Sequence, residues 1–196
     1  MFNKIKRLRL QKKIRELIRD RDGKLHVGCG TDYLDGYINL DSSPDVGADL
    51  VMDVSRLIYF RRETIKQIEC YHFIEHLDYC FAVKTLREFY RILRPGGTLL
   101  LELPDFDVCV KSLGRYFVNN GIDVAMCGIY GHPPDVARYG IAHLHKWGWT
   151  YPALKDELTR VGFVAVTEHE VKQKYREGTI FNRDMQVRAV KPGLSP

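Results

Sequence analysis

The sequence predicts an α/β fold: a seven-stranded, mostly parallel sheet with helices on both faces. Two observations point to it. Short strand-like runs occur at about 24–28, 37–41, 48–53, 67–71, 98–103, 163–169 and 182–190, and between several of them apolar residues recur at spacings of three and four. Strands that alternate with helices imply parallel neighbours, because a parallel pair needs a crossover connection that comes to lie over the sheet. A third observation locates a ligand edge. The run Lys24-Leu-His-Val breaks into Gly28-Cys-Gly30, and the next run ends on Asp41, which is the layout of a nucleoside site.

Taken in order, residues 1–23 hold nine Lys or Arg against three acids. Phe2, Ile5, Leu10, Ile14, Leu17 and Ile18 fall near helical spacing, so the segment is expected to be a basic amphipathic helix. Its apolar side could pack on the domain, or its charges could meet an acidic membrane surface, a polyanionic glycan or a nucleic acid. Gly28 and Gly30 let the backbone come close to a ligand, and Asp41 can accept from two ribose hydroxyls. A third glycine is missing and the acid follows early, which disfavours a pyrophosphate and suits a ribose without phosphates. So short a link between Gly28 and the second run leaves no room for a crossover helix, and puts Asp32, Tyr33 and Asp35 in a loop at the ligand edge. Ala82, Leu86, Phe89, Tyr90 and Leu93 make a helix over 80–93, stopped by Pro95-Gly96-Gly97. Phe106, Val110, Leu113 and Phe117 make a second stripe, ended near Asn119-Asn120-Gly121. Thr150 caps a third helix, with Pro152 in its first turn and Gly162 at its end.

The series from Gly28-x-Gly30 through Asp41, Asp53, His72-Phe-Ile-Glu75-His76-Leu77 and Arg91-Ile-Leu-Arg94-Pro95-Gly96-Gly97 resembles the class I S-adenosylmethionine (SAM)-dependent methyltransferases. It is most similar to a small group often associated with glycan or surface-polysaccharide assembly. The resemblance covers residues 24–105 well and implies a Rossmann-like fold with the last strand inserted antiparallel, and SAM as cofactor. Carried onto this sequence, Gly28 and Gly30 line the methionine and ribose, Asp41 holds the ribose hydroxyls, and Asp53 with Val54 flanks the adenine. Tyr71 and His72 face the methionine end. His26 stands where many relatives place an acid for the ligand's ammonium, leaving Asp32 or a backbone carbonyl near Gly28 for that role. The implied activity is O-methylation of a sugar, nucleotide sugar or surface glycan.

The domain is then residues 24–190, followed by a tail over 191–196. A long loop over about 121–150 is rich in Gly, Pro, Trp, Tyr and His and reads as a lid or acceptor pocket. Within it His145, and next His143, are the expected bases for a hydroxyl acceptor. No metal is assigned to the site. His72-x-x-Glu75-His76 also fits the inverted zinc-peptidase pattern, but no downstream segment clearly offers a third ligand, and Glu75 and His76 are expected to hold a turn by local hydrogen bonds. The same residues would also suit a SAM-binding module without activity, or a methyltransferase acting on RNA or another small molecule. Nucleic acid is the weaker partner, since no amine-methylating Asn-Pro-Pro-Tyr-like motif follows the fourth strand. The composition, 45% hydrophobic and 28% charged with net charge +5, carries no apolar run long enough for a membrane span and no secretory signal. Five cysteines without a Cys-x-x-Cys pair read as reduced thiols of a cytoplasmic protein.

Overall fold

The structure is a computed structural model and describes residues 2–117, 121–169, 171 and 182–193. The chain runs α1 (Phe2–Asp20), β1 (Lys24–Val27), β2 (Ile38–Asp41), β3 (Leu50–Val51), β4 (Ile65–Tyr71), α2 (Tyr79–Ile92), β5 (Leu93–Pro104), α3 (Phe106–Lys111), α4 (Val124–Tyr130), α5 (Pro133–Tyr139), α6 (Tyr151–Val161), β6 (Val164–His169) and β7 (Asp184–Val190). Seven strands form one sheet in the order β3-β2-β1-β4-β5-β7-β6. The first five are parallel, and β7 is inserted antiparallel between β5 and β6. The order reverses between β1 and β4, so their C-terminal ends flank a crevice of the kind that binds ligands in open α/β sheets.

Residues paired across the ladder share a face, and the two faces differ. Leu25, Ile38, Ile68, Leu99 and Val187 are fully buried on one face and join Ile14 of α1, Leu86 and Phe89 of α2 and Leu158 of α6 in a single core. Glu69, Tyr71, Glu102 and Gln186 occupy the opposite face. Right-handed crossovers put the β1–β2 link on one side of the sheet and α2 on the other, because the two series run in opposite directions. The β1–β2 link is the helix-free loop that its length predicts. Beneath it His26 and Asn39, both buried, are bonded side chain to side chain (Nδ1 to Oδ1, 3.0 Å).

Three local expectations change. β5 begins at Leu93, directly after α2, because Leu93 pairs with Ile65 and a bulge over Arg94–Gly97 restores register at Thr98; Gly96, at φ 74°, makes the bulge possible. The 106–117 stripe is helical only to Lys111, Gly114 beyond it stands at φ 71°, and all four stripe residues, Phe106, Val110, Leu113 and Phe117, are exposed. Asn119 and Asn120, the expected stop, lie outside the described residues. The 121–150 segment is more ordered than a plain loop, with α4 capped by Asp123 (Oδ1 accepts from Ala125 N, 2.9 Å) and α5 started by Pro133.

Candidate functional site

The glycine loop leaves β1 with Gly28 and Gly30 both at positive φ (68° and 49°), conformations that cost other residues strain. Main-chain N–H groups of Gly28 and Cys29 both donate to Leu40 O, which folds the loop back onto β2. Asp41, at the tip of that strand, fastens it: Oδ2 accepts from Gly30 N (2.9 Å) and Oδ1 from Ser43 N (2.8 Å). A carboxylate has about four acceptor positions, so Asp41 retains capacity for ribose hydroxyls beyond these two bonds. Around Gly30 the space is open, with no atom within 4 Å of an added Cβ. Gly28 differs. A Cβ there would meet the Phe73 ring at 2.4 Å, so the close approach that this glycine permits is with the residue after β4, which the sequence did not single out. Cys29 is inert, because burial and the Asp41 carboxylate push its thiol up to about 12.

The remaining predicted contacts vary in how they present themselves. Asp53 is exposed and caps the 3-10 turn over Val54–Tyr59, accepting from Ser55 N at 2.8 Å. The Val54 side chain is in the core, so only its backbone faces outward. Tyr71 donates its hydroxyl to Glu69 Oε2 (2.6 Å), while Tyr37 donates to Oε1 (2.6 Å). His72, just after β4, stands at φ 46° and sits among Glu75 (Nδ1 to Oε1, 3.4 Å), Glu102 (Nε2 to Oε1, 3.7 Å) and Asp184 (Nε2 to Oδ2, 3.8 Å). Burial opposes its protonation, but these carboxylates outweigh burial and raise its pKa to about 10. His26 is buried against Asn39 and meets the Tyr71 ring edge-on at 5.6 Å between centroids, with burial lowering its pKa. Of the loop residues, Tyr33 donates to both oxygens of Asp49 (3.0 and 3.1 Å) and Asp35 accepts from Gly36 N. Asp32 is exposed.

The 121–150 segment folds back on the turn that follows β4. Lys146 N donates to Glu75 O (2.7 Å) and Trp147 N to the same oxygen (3.3 Å), while Phe106 N donates to Trp149 O (2.8 Å). Gly148 makes the second contact possible, as a Cβ there would lie 2.2 Å from the Phe106 ring. His145 is half-buried and its Nδ1 lies 2.8 Å from Gly128 O; burial lowers its pKa. His143 packs on Tyr139 at 4.8 Å between ring centroids, and burial and neighbouring His76 lower its pKa. His76 does not act by local bonds as expected. Its Nδ1 reaches Leu144 O at 3.2 Å, and its ring meets His145 edge-on at 4.8 Å. The helical zinc-peptidase arrangement does not form, because His72 lies at the strand end and Ile74–His76 is a 3-10 turn, so the two histidines share no helix face. Instead Glu75, His76 and His145 come together. Beside them Tyr79, Trp147 and Trp149 cluster at 4.8 to 6.4 Å between centroids and line a groove with Asp156, Glu157 and Arg160.

No protein-family model matches the sequence, and no curated protein matches it significantly. Solved structures do match in fold. A SAM-dependent methyltransferase from Archaeoglobus fulgidus superposes with a TM-score of 0.56 at 16% identity, over 94% of both chains. One from Mesorhizobium loti gives 0.58 at 16% identity, over 86% of this chain and 90% of its own. A third, from Thermotoga maritima, gives 0.54 at 14% identity, over 97% and 96%. The chain therefore has the Rossmann-like fold of the class I SAM-dependent methyltransferases, with the glycine loop and Asp41 at the edge where that fold's strand order reverses.

Proposed function

We propose that this protein is a SAM-dependent methyltransferase that O-methylates a sugar, nucleotide sugar or surface glycan. The observation that carries the reading is the pairing of a glycine loop, open at Gly30, with the Asp41 carboxylate at the switch point of a methyltransferase-like sheet. In this reading Asp41 takes the ribose hydroxyls, Asp53 and the Val54 backbone border the adenine, and Tyr71 and His72 border the methionine. The acceptor oxygen attacks the methyl carbon in line. An O–C bond forms as the C–S bond breaks, the electron pair stays on sulfur to give S-adenosylhomocysteine, and the hydroxyl proton leaves to the imidazole pair of His145 and His143.

The groove over Tyr79 and Trp147 supports a sugar acceptor. Trp147 is 43% exposed, and an exposed ring face flanked by carboxylates suits the apolar face and hydroxyls of a pyranose. The first half of α1 supports recruitment to an acidic membrane surface or polyanionic glycan, since Ile5 and Leu8 are exposed among Lys4, Lys6, Arg7 and Arg9. The protein is expected to work in the cytoplasm, in keeping with the lack, among the described residues, of a helix long and apolar enough to cross a membrane.

Calorimetry tests the cofactor site. Wild-type protein should bind SAM and S-adenosylhomocysteine, and Asp41→Ala should lower affinity at least about tenfold, since charged hydrogen bonds are worth about 1.5–3 kcal/mol each. Circular dichroism must show that the variant folds, because Asp41 also ties down Gly30 and Ser43. Folded wild type that ignores SAM would end the reading. Labelled SAM offered with sugar nucleotides, glycan fragments and RNA then separates enzyme from binding module and names the acceptor class.

A further inference from the structure

Glu75 and His76 come from the turn after β4 and His145 from the 121–150 segment, yet one donor atom from each lies within 4.8 Å of the others. Glu75 is 2% exposed, and neither of its carboxylate oxygens accepts a hydrogen bond among the described residues. Its ion-pair contact with His72 Nδ1, at 3.4 Å, does not supply one. The protonated His72 offsets part of the cost of burying that charge, and the acceptor positions left open on both oxygens suit a further cation. The two imidazoles are prepared in the same manner. His76 Nδ1 faces Leu144 O and His145 Nδ1 faces Gly128 O; a carbonyl only accepts, so both Nδ1 atoms carry the proton and both Nε2 atoms keep a lone pair. A main-chain bond that fixes the tautomer and aims the other nitrogen is the usual support of a metal-binding histidine. The Lys146 N to Glu75 O bond (2.7 Å) holds the two segments together.

We propose that Glu75, His76 and His145 bind one divalent first-row transition ion, of the zinc, cobalt, manganese or iron class. Two imidazoles and a carboxylate favour such ions over magnesium or calcium, which take oxygen ligands. Metal–ligand bonds of about 2.1 Å put donors roughly 3.4 Å apart, so the three must close by a little over an ångström. His76 and His145 are only half-buried and can turn to do so. Three protein ligands leave a coordination position open. Resting on the methyl-transfer reading, that position takes the acceptor's hydroxyl oxygen and lowers its pKa. His145 then serves as a ligand, and His143, whose ring lies 5.9 Å from that of His76, remains to take the proton.

Full-length protein stripped with chelator and titrated with zinc or cobalt, with SAM absent, tests the site apart from the methyl-transfer reading. One equivalent should bind, cobalt should show visible absorption of low-coordinate nitrogen and oxygen ligation, and magnesium should bind at least about 100-fold more weakly. His145→Ala and His76→Ala should each weaken zinc binding tenfold or more. His132→Ala, which removes an exposed histidine outside the cluster, should leave binding unchanged. Folded wild type without stoichiometric binding, or His145→Ala with unaltered affinity, overturns the site; should Glu75→Gln fail to fold, the half-buried histidines still decide. For the role, chelation should reduce methyl transfer to the acceptor at least tenfold while SAM affinity stays within twofold, with zinc or manganese restoring the rate. Full turnover after stripping overturns the role.

Discussion

At Gly28 two requirements of the folded protein coincide. The backbone is at φ 68°, and any Cβ would press on Phe73 at 2.4 Å. Both apply whether or not a ligand is present. Gly28→Ala should therefore lower the stability of the ligand-free protein by about 1–3 kcal/mol, from left-handed strain plus overpacking. Urea unfolding without SAM measures this. A variant as stable as wild type that lost only SAM affinity would show that the glycine serves the ligand alone. Asp41 divides its capacity in a related way. Two of its acceptor positions hold Gly30 and Ser43, so its removal would loosen the loop itself besides removing the proposed ribose contact. Gly28-x-Gly30 and Asp41 could be read from the chain because they adjoin strand ends. Phe73 could not, since nothing in its local sequence marks which glycine its ring covers.

Helix α2 shows how an element sets the position of the site next to it. Asp78 is its N-cap, accepting from Phe81 N at 3.0 Å, and Ala82, Leu86 and Phe89 of the marked stripe are buried together with Ile92, while Tyr90 is half-buried and Leu93 begins β5. The cap fixes where the turn bearing Glu75 and His76 meets the helix. Asp78→Ala should cost about 1 kcal/mol, read as a lower urea midpoint with an unchanged slope, while SAM affinity stays near wild type because Asp78 is not among the loop contacts. A loss well above this would show that the cap also supports the Glu75 turn. Helix α6 follows its sequence signals from Thr150 to Gly162 without change. The stripe over 106–117 did not, because its spacing continues past Gly114 and spacing alone carries no record of a chain reversal.

Across the whole molecule, α1 joins the fold through its second half. Ile14 is 2% exposed and Leu10, Leu17 and Ile18 pack against the core, while Lys13 Nζ donates to Asp49 O at 2.6 Å. Deleting residues 1–20 should remove at least about 2 kcal/mol of burial and lower the melting temperature by roughly 5 °C or more. Calorimetry of the truncated chain checks it; an unchanged melt would mean that the helix contributes no stability. The sequence by itself determined the α/β class, the seven strands, the helix-free link after Gly28 and the placing of the glycine loop and Asp41 at adjoining strand ends. Each is written in local period, glycine placement or connection length, which act between neighbours in the chain. Tertiary structure alone decided that His72 stands among Glu75, Glu102 and Asp184, that Phe73 closes on Gly28, and that His145 joins Glu75 and His76. These contacts depend on how β5, β7 and the 121–150 segment pack against the end of β4, and no periodicity within one segment encodes which distant side chain will meet it.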